Sequence, residues 1–313
     1  MILDRLIVVI GPTAVGKTRL GIDLAQLLQT QIISGDSMLI YRGMDVGTAK
    51  PDLKERQGIT HHMIDILEPT EDFSVAQFQS MAGEIIHSIN QQGMIPILVG
   101  GTGLYVKALL EGFTFNQAVG DHELRSRLAK LAETQGNQYL HDLLSEVDPY
   151  TAQRLHPNDL RRVTRALEVH YTAGEQLSEQ KQATGNKHLF DCMVIGLSLR
   201  RDVLYDKINR RVDLMLQNGL VEEVFNLLAR GVPPGAQSLQ AIGYKEIVAY
   251  LAGQTDLPTA IGQIKQSTRH FAKRQMTWFR KMPYIEWFSL DQHDYAVMLT
   301  RIHKRILEKF PVG

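Results

Sequence analysis

The sequence predicts an α/β protein: a parallel sheet flanked by helices, with an all-helical domain inserted into it. Three observations carry this reading. Short apolar runs at 6–10, 31–34, 63–66 and 95–99 alternate with segments of helical period near 18–28 and 74–92, and strands that alternate with helices pair in parallel with both faces covered. From about 121 to 179 the pattern is helical, with starts at Asp148-Pro149 and Pro157-Asn158-Asp159, where a carboxylate caps free N–H groups and proline fits the first turn. The run 191–199 (DCMVIGLSL) then reads as a strand again and returns the chain to the core.

These elements divide the chain into residues 1–115, the first part of the core, residues 116–188, the inserted helical domain, and residues 189–313, the return to the core plus C-terminal helices. Within the last part, 203–228 is helical with a break expected at Gly219, and a long helix ends near Pro283. A chain of 313 residues that is 44 % hydrophobic can bury a sizeable core and is long enough for two domains.

Bulk properties exclude several classes. Asp4 and Arg5 interrupt any secretory layout at the N-terminus, and no window approaches the length of a membrane span, so a soluble protein is expected. Cys192 is the only cysteine, which excludes an internal disulfide and a multi-cysteine zinc site and suits a reducing cytoplasm. His61-His62, His156 and His170 have no ligand spacing with Cys, Asp or Glu, so zinc catalysis is not indicated. The net charge of zero conceals a division: residues 1–199 carry 17 Lys/Arg against 23 Asp/Glu, and residues 200–313 carry 17 against 11. The C-terminal third could face a polyanion.

The strongest chemical signal is Gly11-Pro12-Thr13-Ala14-Val15-Gly16-Lys17-Thr18, between the first apolar run and the first helical segment. It fits the G-x-x-x-x-G-K-[ST] phosphate-binding loop and makes the predicted core a P-loop NTPase-like sheet. In such a loop backbone N–H groups and a helix N-terminus point at an anion, Lys17 adds a mobile positive charge, and the Thr18 hydroxyl can ligate Mg²⁺. A di- or triphosphate follows; the reaction does not.

Ligands of open parallel sheets sit beyond the carboxyl ends of the strands. Asp36, in Ser34-Gly35-Asp36-Ser37, therefore belongs beside the phosphate loop, as a base, a metal partner or a helix cap. The segment 98–105 (LVGGTGLY) repeats this geometry: its glycines permit close backbone approach, and Thr102 offers a hydroxyl to the same crevice unless it merely turns into a helix. In 206–219 (DKINRRVDLMLQNG) Arg210 and Arg211 stand beside an apolar stripe, and chemistry at a phosphate loop often takes an arginine from elsewhere to neutralise developing charge.

Basic residues concentrate in two further places. Lys265 to Lys281 contains six Lys/Arg and no Asp/Glu. At ~100° per residue Lys265, Arg269, Lys273 and Arg280 fall on one helical stripe, nearly opposite Ile264, Phe271, Trp278 and Met282. Such a ridge is a solvated face or a track for a phosphate backbone. The cluster Arg161-Arg162-Val163-Thr164-Arg165 lies in the helical block, and two basic patches on different domains predict a groove for a folded nucleic acid.

In order, GPTAVGKT, GDSMLIYRGMDVGTAKP (35–51), LVGGTGLY, HPNDLRRVTRALEV (156–169), NRRVDLMLQNGLVEEV (209–224), QAIGYKE (240–246) and KRQMTWFRK (273–281) resemble the signature of the bacterial tRNA dimethylallyltransferase (tRNA isopentenyltransferase, IPP transferase) family, over residues 6 to 288. The resemblance implies transfer of a dimethylallyl group from its diphosphate to the exocyclic amine of the adenosine 3′ of the anticodon in tRNA. It implies that Gly11, Thr13, Ala14, Gly16, Lys17 and Thr18 hold the diphosphate with Arg211, that Thr18 carries Mg²⁺, and that Asp36 is the general base. Thr102 would orient the amine or the diphosphate, and Ser37, Met38 and Leu39 would line the pocket for the target base. Arg125, Arg161, Arg162, Thr164, Arg165, Gln240, Gly243, Tyr244, Lys245, Lys273, Arg274, Gln275, Trp278 and Arg280 match tRNA-contacting segments. Leu39 stands where the family often has glutamine, and the zinc finger of eukaryotic relatives is missing. A monomer suffices for a substrate gripped by two domains of one chain.

Two other readings explain the phosphate loop: a P-loop kinase of a nucleotide or small alcohol, and an RNA-remodelling ATPase. Neither accounts for the ordered blocks. The strand at 95–99 ends in Gly100-Gly101-Thr102 where an ATPase would carry an acidic metal ligand, although Asp36 could substitute.

Overall fold

The computed structural model describes residues 3–113, 121–174, 176, 189–292 and 294–311. The expected end of the helical block near 179 and the expected domain boundaries at 115/116 and 188/189 fall wholly or partly outside these residues. The chain forms two compact units, one made of residues 1–110 and 188–313, the other of residues 111–187.

The first unit is built on β1 (Arg5–Ile10), β2 (Ile32–Ser34), β3 (His61–His62), β4 (Ile97–Gly100), β5 (Asp191–Ser198) and β6 (Ile285–Ser289). They form one parallel sheet in the order β3-β2-β4-β1-β5-β6. Strand β1 lies inside it and pairs Val8 with Leu98 on one side and with Val194 on the other, which is why its run LIVVI is apolar throughout. Alternation sorts its side chains. Leu6, Val8 and Ile10 enter one core cluster with Ile33, Leu98 and Val194, whereas Ile7 and Val9 enter the other with Ile32, Ile97 and Ile195.

Helices cover both faces. On the Val8 face lie α2 (Val75–Gln91), through Phe78 and Ile86, and α3 (Gly103–Glu111), through Val106 and Leu109. Ser74 and Gln77 form a capping box that starts α2. On the Val9 face lies α1 (Lys17–Leu27), through Leu20 and Leu24.

The second unit holds α4 (His122–Gln135), α5 (Asn137–Val147), α6 (Pro149–Arg154) and α7 (Leu160–Ala173). Its core gathers Leu128, Leu140, Leu144, Val163 and Leu167. Asp148 accepts a hydrogen bond from Thr151 N–H at 3.0 Å with Pro149 in the first turn of α6, and Asp121 likewise caps α4 through Leu124 N–H at 2.9 Å.

Past β5 the first unit continues with α8 (Arg201–Gln217), α9 (Leu220–Ala229), α10 (Tyr244–Leu251), α11 (Leu257–Phe279) and α12 (Tyr295–Lys309). Gly219, in the left-handed region at φ 92°, makes the break between α8 and α9. Two expectations need correction. The strand expected at 63–66 is the two-residue β3, because Met63 and Asp65 take positive φ and Asp65 turns its carboxylate to Lys50 at 2.5 Å. The terminal pair β6 and α12 was not foreseen; α12 packs Met298, Ile302 and Ile306 onto the Val9 face.

Candidate active site

Three strand ends meet on one side of the sheet. After β1 the phosphate loop turns through Gly11, Ala14 (φ 63°) and Gly16 (φ 110°), the last of which opens α1. Positive φ is uncommon at a residue other than glycine, and at Ala14 it bends the loop sharply between β1 and α1. After β2 comes Asp36, whose carboxylate accepts from Met38 N–H at 2.9 Å, fixing an Asx turn. After β4 comes Thr102, whose hydroxyl accepts from Ser37 N–H at 3.3 Å and so ties the Asp36 segment to the Thr102 segment. Gly35 and Gly100 lie against each other so closely that a Cβ on Gly100 would stand 2.5 Å from the Gly35 carbonyl oxygen, so β2 and β4 can deliver their ends side by side only with glycine there.

Charge converges at this point. The Lys17 ammonium donates to Pro12 O at 2.8 Å. Burial pushes its pKa down to about 8, against the attraction of Asp36 and with the help of Arg211. Arg211 on α8 donates to Thr48 O at 3.1 Å, and burial lowers its pKa also, opposed by Asp36 and Glu55. Two cations disfavoured by burial, with Asp36 acting on both and Glu55 on Arg211, form a site where an added anion would be stabilised. Ala14, Gly16, Lys17, Thr18 and Arg211 line a cavity of about 830 Å³, closed on other sides by 45–57 and by Leu214 and Met215 of α8.

The loop is braced from a distance. Gln275, buried on α11, accepts from Thr13 N–H at 2.9 Å and donates to Gly101 O at 2.8 Å. Its amide is thus committed inside the protein, not free for the nucleic-acid contact expected of it. Sequence reasoning missed this bracket, since nothing in the local pattern marks one polar residue of a basic helix as the one that turns inward.

The other expected residues divide in the same way. Lys273, Arg274, Trp278 and Arg280 are exposed on α11 or at its end. Lys265 and Arg269, which the helical stripe grouped with Lys273 and Arg280, are occupied by α8: Lys265 pairs with Asp213 at 2.6 Å and Arg269 donates to Asn209 at 2.7 Å. The ridge is therefore basic only in its second half. Gln240 and Lys245 are exposed, whereas Gly243 and Tyr244 are buried and the Tyr244 hydroxyl donates to Glu223 at 2.6 Å. Ser37, Met38 and Leu39 are half-buried beside Asp36; Leu39 faces a small hollow with Thr18, Ile32 and Val99.

In the second unit Arg161 and Arg162 are exposed on α7, with Arg162 on Asp159 at 2.8 Å, and Thr164 is half-buried. Arg125 and Arg165 converge on Glu168, a fully buried carboxylate, at 2.8 and 2.7 Å, and Asp121 N–H completes its shell at 2.9 Å. Burial pushes the Glu168 carboxyl up, but the two arginines and the amide together outweigh it and hold it below the usual range.

Comparison with known proteins decides the family. The family model described as IPP transferase matches residues 39–282. The chain is 49 % identical over 298 residues to the tRNA dimethylallyltransferase of Bacillus cytotoxicus, covering 95 % of this chain and 94 % of that protein. It belongs to the IPP transferase family. Among solved structures it resembles the full-length tRNA isopentenylpyrophosphate transferase of Bacillus halodurans at 45 % identity and TM-score 0.73, over 98 % of this chain and 96 % of that one. It also resembles a eukaryotic dimethylallyltransferase acting on tRNA at 29 % identity and TM-score 0.83, over 99 % of this chain and 81 % of the other. The matched span of the IPP transferase model begins after the phosphate loop and Asp36, so the geometry of those residues stands as an observation separate from the match.

Proposed function

We propose that this member of the IPP transferase family moves a dimethylallyl group from dimethylallyl diphosphate to the exocyclic amine of an adenosine 3′ of the anticodon in tRNA. The observation that carries the reading is the placement of one carboxylate, Asp36, within electrostatic reach of both Lys17 and Arg211 at the mouth of a phosphate loop. The amine forms a bond to C1 of the allyl group as the C1–O bond breaks and diphosphate leaves. Negative charge builds on the leaving oxygens, and Lys17, Arg211 and the loop N–H groups stabilise it. An adenine amine is a weak nucleophile because its lone pair is delocalised, so Asp36 takes its proton as the carbon–nitrogen bond forms. Thr102, fixed to Ser37, orients the amine. The target base reaches this crevice only when flipped out of its stack.

Mg²⁺ fits the loop in a limited way. Thr18 opens onto the cavity, yet no group of three or more His, Cys, Asp or Glu among the described residues could hold a metal ion. The ion would therefore rest on the Thr18 hydroxyl and substrate oxygens, supplying further charge for the leaving diphosphate. The exposed bases Arg161, Arg162, Lys245, Lys273, Arg274 and Arg280 serve as phosphate contacts for tRNA. Among the described residues no helix is long and apolar enough to cross a membrane. The relatives give no support to the kinase alternative.

The test is transfer of label. The purified protein should move radiolabelled dimethylallyl from its diphosphate to an anticodon stem-loop bearing adenosine 3′ of the anticodon, with no ATP present. A requirement for ATP, or labelled phosphate on an acceptor, would overturn the proposal.

A further inference from the structure

The wall of the cavity formed by residues 45–50 is shaped by one carboxylate outside it. Glu223, on α9, accepts hydrogen bonds from three successive backbone N–H groups, Asp45 at 2.8 Å, Val46 at 2.7 Å and Gly47 at 3.0 Å, and a fourth from the Tyr244 hydroxyl at 2.6 Å. Three consecutive amides aimed at one carboxylate make a backbone nest, so the loop's curvature is set by an anion that the protein supplies itself. Gly47 is pressed onto Tyr244: a Cβ there would come within 2.5 Å of the ring. The same loop touches the candidate active site, since Asp45, Val46, Ala49 and Lys50 line the cavity and Thr48 O receives the Arg211 guanidinium.

Tyr244 opens α10, next to exposed Lys245 and just after the segment 240–243. Gln240 and Lys245 are the exposed residues there, and on the function proposed above, on which this inference rests, Lys245 contacts a tRNA phosphate. We propose that Glu223 is a positioning residue that couples the two substrates: RNA docking at 240–245 fixes Tyr244, Tyr244 fixes Glu223, and Glu223 fixes the loop that shapes the diphosphate cavity and anchors Arg211. Glu223 touches neither substrate. Its effect is a coupling between two binding events, and thermodynamic linkage requires that coupling to be equal in both directions.

The experiment measures binding without turnover. Affinity for a thiolo analogue of dimethylallyl diphosphate is determined with and without saturating anticodon stem-loop, for the wild-type protein, Glu223→Gln and Tyr244→Phe. Wild type should bind the analogue about fivefold or more tightly when RNA is present, the lower end of ordinary coupling. In Glu223→Gln, which keeps the side-chain volume but replaces one acceptor oxygen by a donor, the ratio should fall towards one in protein still folded at the assay temperature, with RNA affinity alone nearly unchanged. Tyr244→Phe should lower the ratio in the same direction. A purely structural role would lower melting temperature and both affinities while leaving the ratio intact, and that result would overturn the inference, as would a wild-type ratio of one. Failure of the wild-type protein to bind the analogue at all would instead strike the proposed function itself.

Discussion

The depressed pKa of Lys17 gives a test that separates electrostatics from shape. Burial brings the ammonium from 10.5 to about 8. With that pKa the group is about nine-tenths charged at pH 7 and about one-tenth charged at pH 9, so if only the ammonium supports the diphosphate, affinity falls about tenfold, or ~1.4 kcal/mol. The ligand does not mask this, because its own last ionisation lies near the phosphate value of about 6. Stability should move the other way. The unfolded chain keeps the proton that the native lysine has released, so the free protein gains stability as pH rises across the window from about 8 to 10.5. Titration calorimetry with the thiolo analogue from pH 7 to 9, in two buffers of different ionisation enthalpy, should show falling affinity and proton uptake on binding. Lys17→Arg cannot titrate in this range, so its affinity, whatever its size, should be flat with pH. A flat wild-type profile, or an equal slope in Lys17→Arg, would refute the reasoning.

Four further outcomes follow from named contacts. Asp36→Asn should lower kcat by about 10²–10⁴, the usual worth of a general base, with KM for dimethylallyl diphosphate little changed; near-normal turnover would remove the assignment. Gln275→Ala strips the partners from Thr13 N–H and Gly101 O, at about 1–3 kcal/mol, and should weaken binding of the thiolo analogue while leaving stem-loop affinity unchanged; the reverse split would make Gln275 an RNA contact after all. Lys273→Ala should weaken tRNA binding and reduce the slope of log affinity against log salt by about one, measured by filter binding, whereas Lys265→Ala, already paired with Asp213, should leave the slope unchanged. Glu168 has its carboxyl held below the usual range, so its contribution is full above the unfolded value of about 4.3 and is lost as pH falls through the lower folded value; in acid unfolding followed by hydrogen exchange, the helices around it should lose protection at higher pH in Glu168→Gln than in wild type.

What was legible in the sequence follows from the range of the interactions involved. The phosphate loop, Asp36 and Thr102 each sit directly after a strand whose apolar run is visible by itself, and the rule that ligands gather beyond the carboxyl ends of parallel strands brings the three together without any knowledge of contacts. Contacts between distant residues were not legible. Gln275 reaches Thr13 across 262 positions and Glu223 reaches Val46 across 177, and no periodicity names the partner of a polar side chain. The basic stripe on α11 failed for the same reason: helical spacing grouped Lys265 and Arg269 correctly on a face, but whether that face meets solvent or α8 depends on tertiary packing. The strand expected at 63–66 failed locally, where apolar composition was read as extended backbone and the chain instead turns through Met63 and Asp65.

On the proposed function, the charge arrangement also lets a phosphate loop serve chemistry at carbon. In the free protein Lys17 and Arg211 are both disfavoured by burial, and the Asp36 carboxylate offsets each of them, with Glu55 adding to the effect on Arg211. An arriving diphosphate carries more negative charge than that carboxylate and takes over the neutralisation of both cations. On the proposed function, Asp36 is then no longer needed by them and remains at the end of β2, held by the Met38 amide beside the segment that Thr102 ties down, free to meet the amine of the acceptor. In a phosphoryl-transfer enzyme the groups around the loop are directed at the phosphorus that is attacked. Here, on the proposed function, the carboxylate that acts on both Lys17 and Arg211 receives the acceptor proton while the phosphates stay intact. On the proposed function, diphosphate binding thus releases the group that deprotonates the acceptor, an arrangement that rests on three residues, Lys17 and Asp36 beyond two strand ends and Arg211 on α8.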